Sequence, residues 1–176
     1  THPGNYDAND LFVPMYEFDA GYREATRQYT VMSYFNAGSD GAMVDHWGPT
    51  GPLMENQWMY ASTPLLHDIL AIQALYGADM TTRTGNTRYG FNSNAGRDVY
   101  DFTRNTNPII AIWDAGGVDT IDASGFATSQ LIDLNQGAFS NIGHLTRNLA
   151  IAFGADIENA VGGSGPNTLI GNALKN

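Results

Sequence analysis

The second half of the chain is built from short apolar runs that alternate with turns rich in Gly, Asp and Asn. Such runs begin at residues 108, 118, 130, 149 and 167, and none keeps helical spacing over the length of a helix. Short β-branched stretches bounded by glycine are typical of strands. This half of the chain is therefore predicted to be a β structure without a substantial helix.

Three of the turns share one form, in which a glycine is followed two residues later by Asp or Asn and then by an apolar strand. They lie at residues 117–121, 154–157 and 165–169. The third lies inside GGSGPNTLI, which matches the nonapeptide of calcium-binding β-helices except that Asn167 replaces the Asp. Glycines allow the backbone to aim carbonyls at a shared ion, and the acidic residue supplies charge. Turn-rich β proteins that bind no calcium also produce such a nonapeptide, so both interpretations stay open.

One helix is predicted, over residues 62–76. Ser62 or Thr63 can cap it, Pro64 suits its first turn, and Gly77 can close it. One face carries apolar residues at helical spacing, namely Leu65, Ile69, Ile72 and Tyr76. The Gly- and Pro-rich segment before the helix, residues 36–57, is predicted to be a long loop. The composition changes after residue 79, which predicts a domain boundary at residues 78–82.

The charge balance excludes several classes of partner. The formal net charge is −10, and only 8 Lys and Arg are available to neutralise phosphates, which argues against nucleic acid and anionic membranes. No apolar run approaches the ~18 residues that a membrane span needs. The absence of cysteine excludes disulfides, a thiol nucleophile and Cys-based zinc sites. The many carboxylates suit either a solvated surface or hard cations such as calcium.

Two segments of the first half carry a resemblance to a known family. THPGNYD, residues 1–7, resembles the end of the extended metzincin zinc motif H-E-x-x-H-x-x-G-x-x-H, in the form that serralysins use. QYTVMSYF, residues 28–35, resembles the serralysin Met-turn. Further matching segments follow in serralysin order at residues 64–79, 82–98, 112–125 and 157–165. The chain therefore resembles the serralysin-type (alkaline protease) metzincins over essentially its whole length.

The resemblance implies an α+β fold with two parts. Residues 1–79 would form the C-terminal part of a zinc metalloprotease catalytic domain, and residues 80–176 the N-terminal part of a calcium-binding parallel β-roll or β-sandwich domain, RTX-like. The implied activity is that of a secreted, extracellular bacterial endopeptidase, in which zinc-bound water attacks a peptide carbonyl and a glutamate takes the proton. Proteins and peptides would be the substrates. A proteinaceous inhibitor, or the missing N-terminal part of the same enzyme, would be a further partner.

The resemblance also assigns individual residues. His2 corresponds to the third zinc ligand, and Tyr34 to the tyrosine that ligates zinc in the resting enzyme and stabilises the oxyanion. A first calcium would be held by Arg83, Gly85 and Thr87 through their carbonyls, together with Asp114, Gly116 and Asp119. A second would involve Gly117, Asp119, Asp156 and Glu158. A third site would start with Gly163, Gly165 and Asn167, where the missing charge of an Asp weakens binding.

Simpler interpretations stand beside these assignments. Taken alone, His2 would be a solvated histidine, Tyr34 a half-buried strand tyrosine, and Asp114 and Asp119 ordinary turn residues. The remaining histidines, His46, His67 and His144, are expected at the surface or on a helix flank.

The two zinc-binding histidines and the glutamate base that the family places before His2 do not occur in this sequence. The chain by itself is therefore predicted to bind zinc weakly and to cleave nothing. The alternative is a non-catalytic calcium-binding β-roll module, or an inhibitory or binding piece, because most of the identified ligands are for calcium.

Overall fold

A computed structural model describes residues 13–49 and 56–175 of the chain. The first described part holds a one-turn helix α1 (Tyr16–Asp19), a short hairpin of β1 (Trp47–Pro49) and β2 (Asn56–Trp58), and the longer helix α2 (Leu66–Tyr76). Strands β1 and β2 pair antiparallel, with Trp47 opposite Trp58. No helix within the described residues has the length and apolar character needed to cross a bilayer.

The second part consists of short strands joined by turns. They are β3 (Arg88–Gly90), β4 (Ile110–Ile112), β5 (Thr120–Asp122), β6 (Gln130–Asp133), β7 (Phe139–Ser140), β8 (Leu149–Ile151), β9 (Asn159–Val161) and β10 (Asn167–Ile170), with a 3-10 turn at Asp98–Tyr100. Strands β3, β5 and β9 form one parallel sheet in that order, and β10 pairs parallel with β6. Strand β8 pairs parallel with β4 and antiparallel with β7.

Parallel pairing of strands about 30 to 40 residues apart stacks successive coils of the chain on one another. Thr120 lies between Arg88 and Asn159, so equivalent positions of three coils line up. The core between the sheets is apolar and fully buried, and its largest members are Tyr89, Phe102, Ile110, Ile112, Ile121, Ile132, Ile142, Leu149, Ile151 and Ile157. Burying such side chains is the main source of stability in a chain without disulfides. The helices and separate sheets agree with the predicted α+β class. The division at residues 79 and 80 stays a prediction.

The long helix differs from the prediction at its start and along its apolar face. It begins at Leu66, because the hydroxyl of Thr63 accepts a hydrogen bond from the Ala111 N–H of β4 (2.8 Å) and does not cap the helix. The carboxylate of Asp68 instead accepts the Leu65 N–H (2.8 Å). The predicted core stripe is wrong over the last two turns, where Ile72 is exposed, as is Tyr76 at 81%.

Three local expectations in the first part are also wrong. Residues 36–57 are not loop throughout, since they contain β1 and the start of β2. Residues 28–35 run as turns and bends, so the simpler interpretation of Tyr34 as a strand tyrosine is wrong. His46 is not at the surface but 3% exposed, and burial lowers its pKa. Next to His46, a contact from a distant residue holds the chain: the Asp45 carbonyl accepts the Thr146 N–H at 3.0 Å, and the Asp45 N–H donates to the Thr146 hydroxyl at 2.6 Å.

Candidate metal centre

Asp119 lies at the end of a glycine turn, directly before β5, and its carboxylate is fully buried. One oxygen, Oδ1, accepts a hydrogen bond from the Thr87 N–H at 2.6 Å. The other oxygen, Oδ2, has no hydrogen-bond partner within the described part of the chain. A buried carboxylate oxygen without a donor is costly, so this atom needs an explanation.

Two further carboxylates surround Asp119. Glu158 accepts the backbone N–H of Asp119 at 2.7 Å, and Asp114 accepts the Tyr89 hydroxyl at 2.6 Å and the Gly116 N–H at 2.9 Å. Burial raises the pKa of Asp119 to about 6, and the negative charges of Asp114 and Glu158 raise it as well. The accumulated negative charge is what a bound cation would neutralise.

The positive side chain of Arg83 acts on Asp119, but in the described structure it forms no ion pair with these acids. The guanidinium of Arg83 lowers the pKa of Asp119 from a distance, but its hydrogen bonds go to the Tyr89 hydroxyl (2.8 Å) and to the Trp113 carbonyl. It also lies over the rings of Tyr89 and Tyr100. Arg83 is thus used to pack the core edge, and the unpaired oxygen of Asp119 remains without a donor.

The Gly85 carbonyl comes close to the same carboxylate because the residue between them, Gly117, has no side chain. Gly117 has φ +145°, and a Cβ at this position would lie 2.5 Å from the Gly85 carbonyl oxygen and 2.9 Å from Asp119 Oδ1. The Thr87 hydroxyl also reaches the Gly85 carbonyl, at 3.0 Å. Among the described residues no three His, Asp or Glu side chains are close enough to hold one ion. A cation here would therefore need carbonyl oxygens as well as Asp119, which is the ligand chemistry of calcium.

The other predicted calcium ligands are brought together only in part. Asp156 is exposed and accepts a hydrogen bond from Gln136 (2.8 Å), whereas Glu158 faces Asp119. At the third turn, the side-chain amide of Asn167 donates to the Gly163 and Gly165 carbonyls.

Of the two predicted zinc ligands, His2 lies outside the described residues. Tyr34 belongs to the turn that also carries Met32, and the two side chains are 53% and 40% exposed. The carboxylate of Asp68 anchors this turn by accepting hydrogen bonds from the Thr30 hydroxyl (2.5 Å) and the Val31 N–H (2.9 Å). It also accepts the Leu65 N–H. The sequence does not indicate this role of Asp68, because Thr30 and Val31 lie 38 and 37 residues away along the chain.

A small cavity opens beside the same turn. It has a volume of about 90 Å³ and is bordered by Val31 of the turn, by Trp58 of β2 and by the Arg27 and Tyr60 side chains. The Arg27 guanidinium lies 5.2 Å from the centre of the Tyr60 ring. The hairpin that the sequence treated as loop therefore borders the same cavity as Val31 of this turn.

The environment of Asp119 predicts that, in calcium-free buffer, its contribution to the free energy of unfolding falls as the pH rises, the reverse of the usual behaviour of a carboxylate. Its folded-state pKa of about 6 exceeds the ordinary 3.8, so the proton favours the folded state. The resulting stabilisation is full below about pH 4 and is lost as the pH rises through 6; a shift of roughly two pKa units corresponds to about 3 kcal/mol. Urea unfolding between pH 4 and 7 measures it, and Asp119→Asn should remove this component. A parent and variant with parallel pH profiles would contradict the expectation.

Comparison with known proteins matches residues 78–175 to the family model described as Peptidase M10 serralysin C terminal. The chain is 49% identical to Serralysin G of Dickeya chrysanthemi, over 99% of this chain and 34% of that protein. It is 48% identical to Metalloprotease AprA of Pseudomonas entomophila, over 100% of this chain and 34% of the relative. The chain spans about a third of the length of these curated relatives. On these matches, the chain belongs to the serralysin family of metzincin metalloproteases.

Proposed function

We propose that this chain is part of a secreted, extracellular bacterial zinc endopeptidase that acts on proteins and peptides, and that its β-rich half binds calcium. The family membership supports the first statement, since relatives that cover the whole chain carry the name metalloprotease. The buried, unpartnered Oδ2 of Asp119 is the single observation that carries the second.

Calcium would be held first at the turn before β5. The proposed ligands are Asp114, Asp119 and the backbone of Gly116, with the carbonyls of Arg83, Gly85 and Thr87. A second ion would use Gly117, Asp119, Asp156 and Glu158. Bound calcium supplies the positive charge that this cluster lacks. The chain itself contributes the close approach at Gly117 and the hydrogen bond from the Thr87 N–H, which keep the carboxylate in place without occupying its second oxygen.

For zinc, the proposed residues are His2 and Tyr34, and these do not complete a catalytic site. Such a site needs three protein ligands and an open position, and the sequence contains no H-E-x-x-H. No hydrolytic step is therefore assigned to this chain alone. Its proposed part in catalysis is to present the Tyr34 hydroxyl from a turn that Asp68 holds. A proteinaceous inhibitor that covers this surface is a further proposed partner.

A chimaera tests the proposal. The chain alone, with zinc and calcium, is expected to show no caseinolysis. When it replaces the matching third of Serralysin G, caseinolysis should be restored. In the active chimaera Tyr34→Phe should lower kcat by about 10²-fold, as expected for loss of an oxyanion donor.

Tyr76→Phe is the matched control, because Tyr76 is exposed at the end of α2 and its replacement should leave kcat unchanged. A folded chimaera that binds zinc but does not cleave casein would favour the alternative, a non-catalytic calcium-binding module. Protease turnover by the chain alone would contradict the statement that it lacks a complete zinc site.

A further inference from the structure

The turn before β10 is closed by a side-chain amide. Asn167 Nδ2 donates to the Gly165 carbonyl at 2.7 Å and to the Gly163 carbonyl at 2.8 Å, and its Oδ1 accepts the Gly163 N–H at 3.3 Å. One short side chain thus satisfies three backbone groups of the glycine-rich turn.

The orientation of this amide follows from its surroundings. The reversed orientation would direct Oδ1 at two carbonyl oxygens and the NH₂ group at a backbone N–H, which removes every one of these hydrogen bonds. Two donors aimed at two carbonyls provide the positive partial charge that such a turn otherwise obtains from a cation.

We infer that the Asn167 amide takes the place of a calcium ion at this turn, so that the turn closes without metal. This deepens the proposed function, and rests on it only for the statement that calcium is bound elsewhere in the same domain. The third predicted site, with Gly163, Gly165 and Asn167, then binds no calcium.

In the neighbouring coil, too, a side-chain amide forms hydrogen bonds with backbone groups. Gln130 of β6 lies in register with Asn167 of β10 and is buried. Its Nε2 donates to the carbonyl and to the hydroxyl of Thr128, both at 2.8 Å, and its Oε1 accepts the Gly143 N–H at 2.8 Å. The β6–β10 pair thus carries amides at stacked positions, whereas the acids Asp119 and Glu158 directly precede strands β5 and β9.

Close stacking limits what else can occupy the turn. The Ser164 N–H donates to the Phe126 carbonyl at 3.0 Å, and a Cβ on Gly165 would lie 2.5 Å from the Ala127 carbonyl oxygen. With a carboxylate in place of the amide, the Gly163 and Gly165 carbonyls would lose their hydrogen-bond donor and would instead face a negative charge. Asn167→Asp should therefore create a need for a cation that the parent does not have.

The test measures bound calcium per chain by equilibrium dialysis, and thermal unfolding with and without calcium, on the complete 176-residue chain. Asn167→Ala is expected to leave the calcium count unchanged and to lower Tm by about 2–6 °C, equally in both conditions, because it removes hydrogen bonds and no ligand. Asn167→Asp is expected to add one equivalent of calcium. A count that falls by one in Asn167→Ala, or that does not rise in Asn167→Asp, overturns the inference.

A spectroscopic readout covers the case in which a variant does not fold. In the ¹⁵N-labelled parent, the side-chain amide signals of Asn167 should keep their positions when calcium is added, and a large calcium-induced shift would overturn the inference. Asp119→Asn is the control for the proposed function. It should lower the calcium count, and its failure to do so would contradict the calcium site at Asp119 while leaving the result at Asn167 to stand by itself.

Discussion

The effect of Asp119→Asn on the free energy of unfolding is expected to change sign when calcium is added. In calcium-free buffer the variant should be as stable as the parent or more stable, because it removes a buried charge beside Asp114 and Glu158. The amide oxygen can still accept the Thr87 N–H. In calcium the parent should gain about 4 kcal/mol when the free ion exceeds its dissociation constant 1,000-fold, and the variant should gain much less. Urea unfolding in both conditions measures the crossover.

Asp98→Asn is the matched control for this experiment. Asp98 is also an acid of the β-rich half, but its side chain is 79% exposed and its ion pair with Arg104 is loose at 3.5 Å. Its replacement should have the same small effect with and without calcium. A loss of stability by Asp119→Asn that is equal in both conditions would show that the residue acts through hydrogen bonds only and would contradict the metal site.

Asp68→Ala is expected to destabilise the chain by about 3 kcal/mol, because it removes the acceptor of the Thr30 hydroxyl and of the Val31 and Leu65 N–H groups. Hydrogen bonds to a charged acceptor are the stronger ones, and Thr30 is buried, so water replaces the lost acceptor poorly. Asp68→Asn, which retains one oxygen, should lose roughly half as much. Chemical unfolding measures both variants.

The same substitution also tests the support of the candidate zinc turn. In the active chimaera Asp68→Asn should lower kcat for casein more than it changes KM, because the turn that carries Tyr34 loses part of its anchor. Asp45→Ala is the control, since its exposed carboxylate accepts the Trp47 N–H at 2.9 Å and has no contact with the turn that carries Tyr34 among the described residues. Equal kcat values for Asp68→Asn and the parent would show that the turn keeps its geometry without this carboxylate.

The sequence was most informative where structure is local. The Gly-x-Asp turns are followed by short strands at β5, β9 and β10, because glycine and the turn acids act within a few residues. The long helix exists and ends at Tyr76 before Gly77, as its composition predicted. Its cap and its exposed second half were predicted wrongly, because both depend on what lies beside the helix: Thr63 is committed to Ala111 of β4, and no packed neighbour covers Ile72 among the described residues.

Asp119 and Asn167 show which properties the sequence determines and which only the tertiary structure determines. By itself the sequence determined that both residues lie where a glycine turn leads into a strand, and that the chain resembles serralysins; on that basis both were predicted calcium ligands. The sequence distinguished them only by the charge that Asn167 lacks, and the tertiary structure showed which of the two has its hydrogen bonds complete. Thr87 and Glu158 reach Asp119 from 32 and 39 residues away and leave one buried oxygen without a donor, whereas Asn167 completes its hydrogen bonds within its own turn. The need for a cation is set by which polar atoms lack partners. For Asp119 the partners come from coils that are distant along the chain and adjacent only after folding, so the sequence alone could not show that one oxygen stays without a donor.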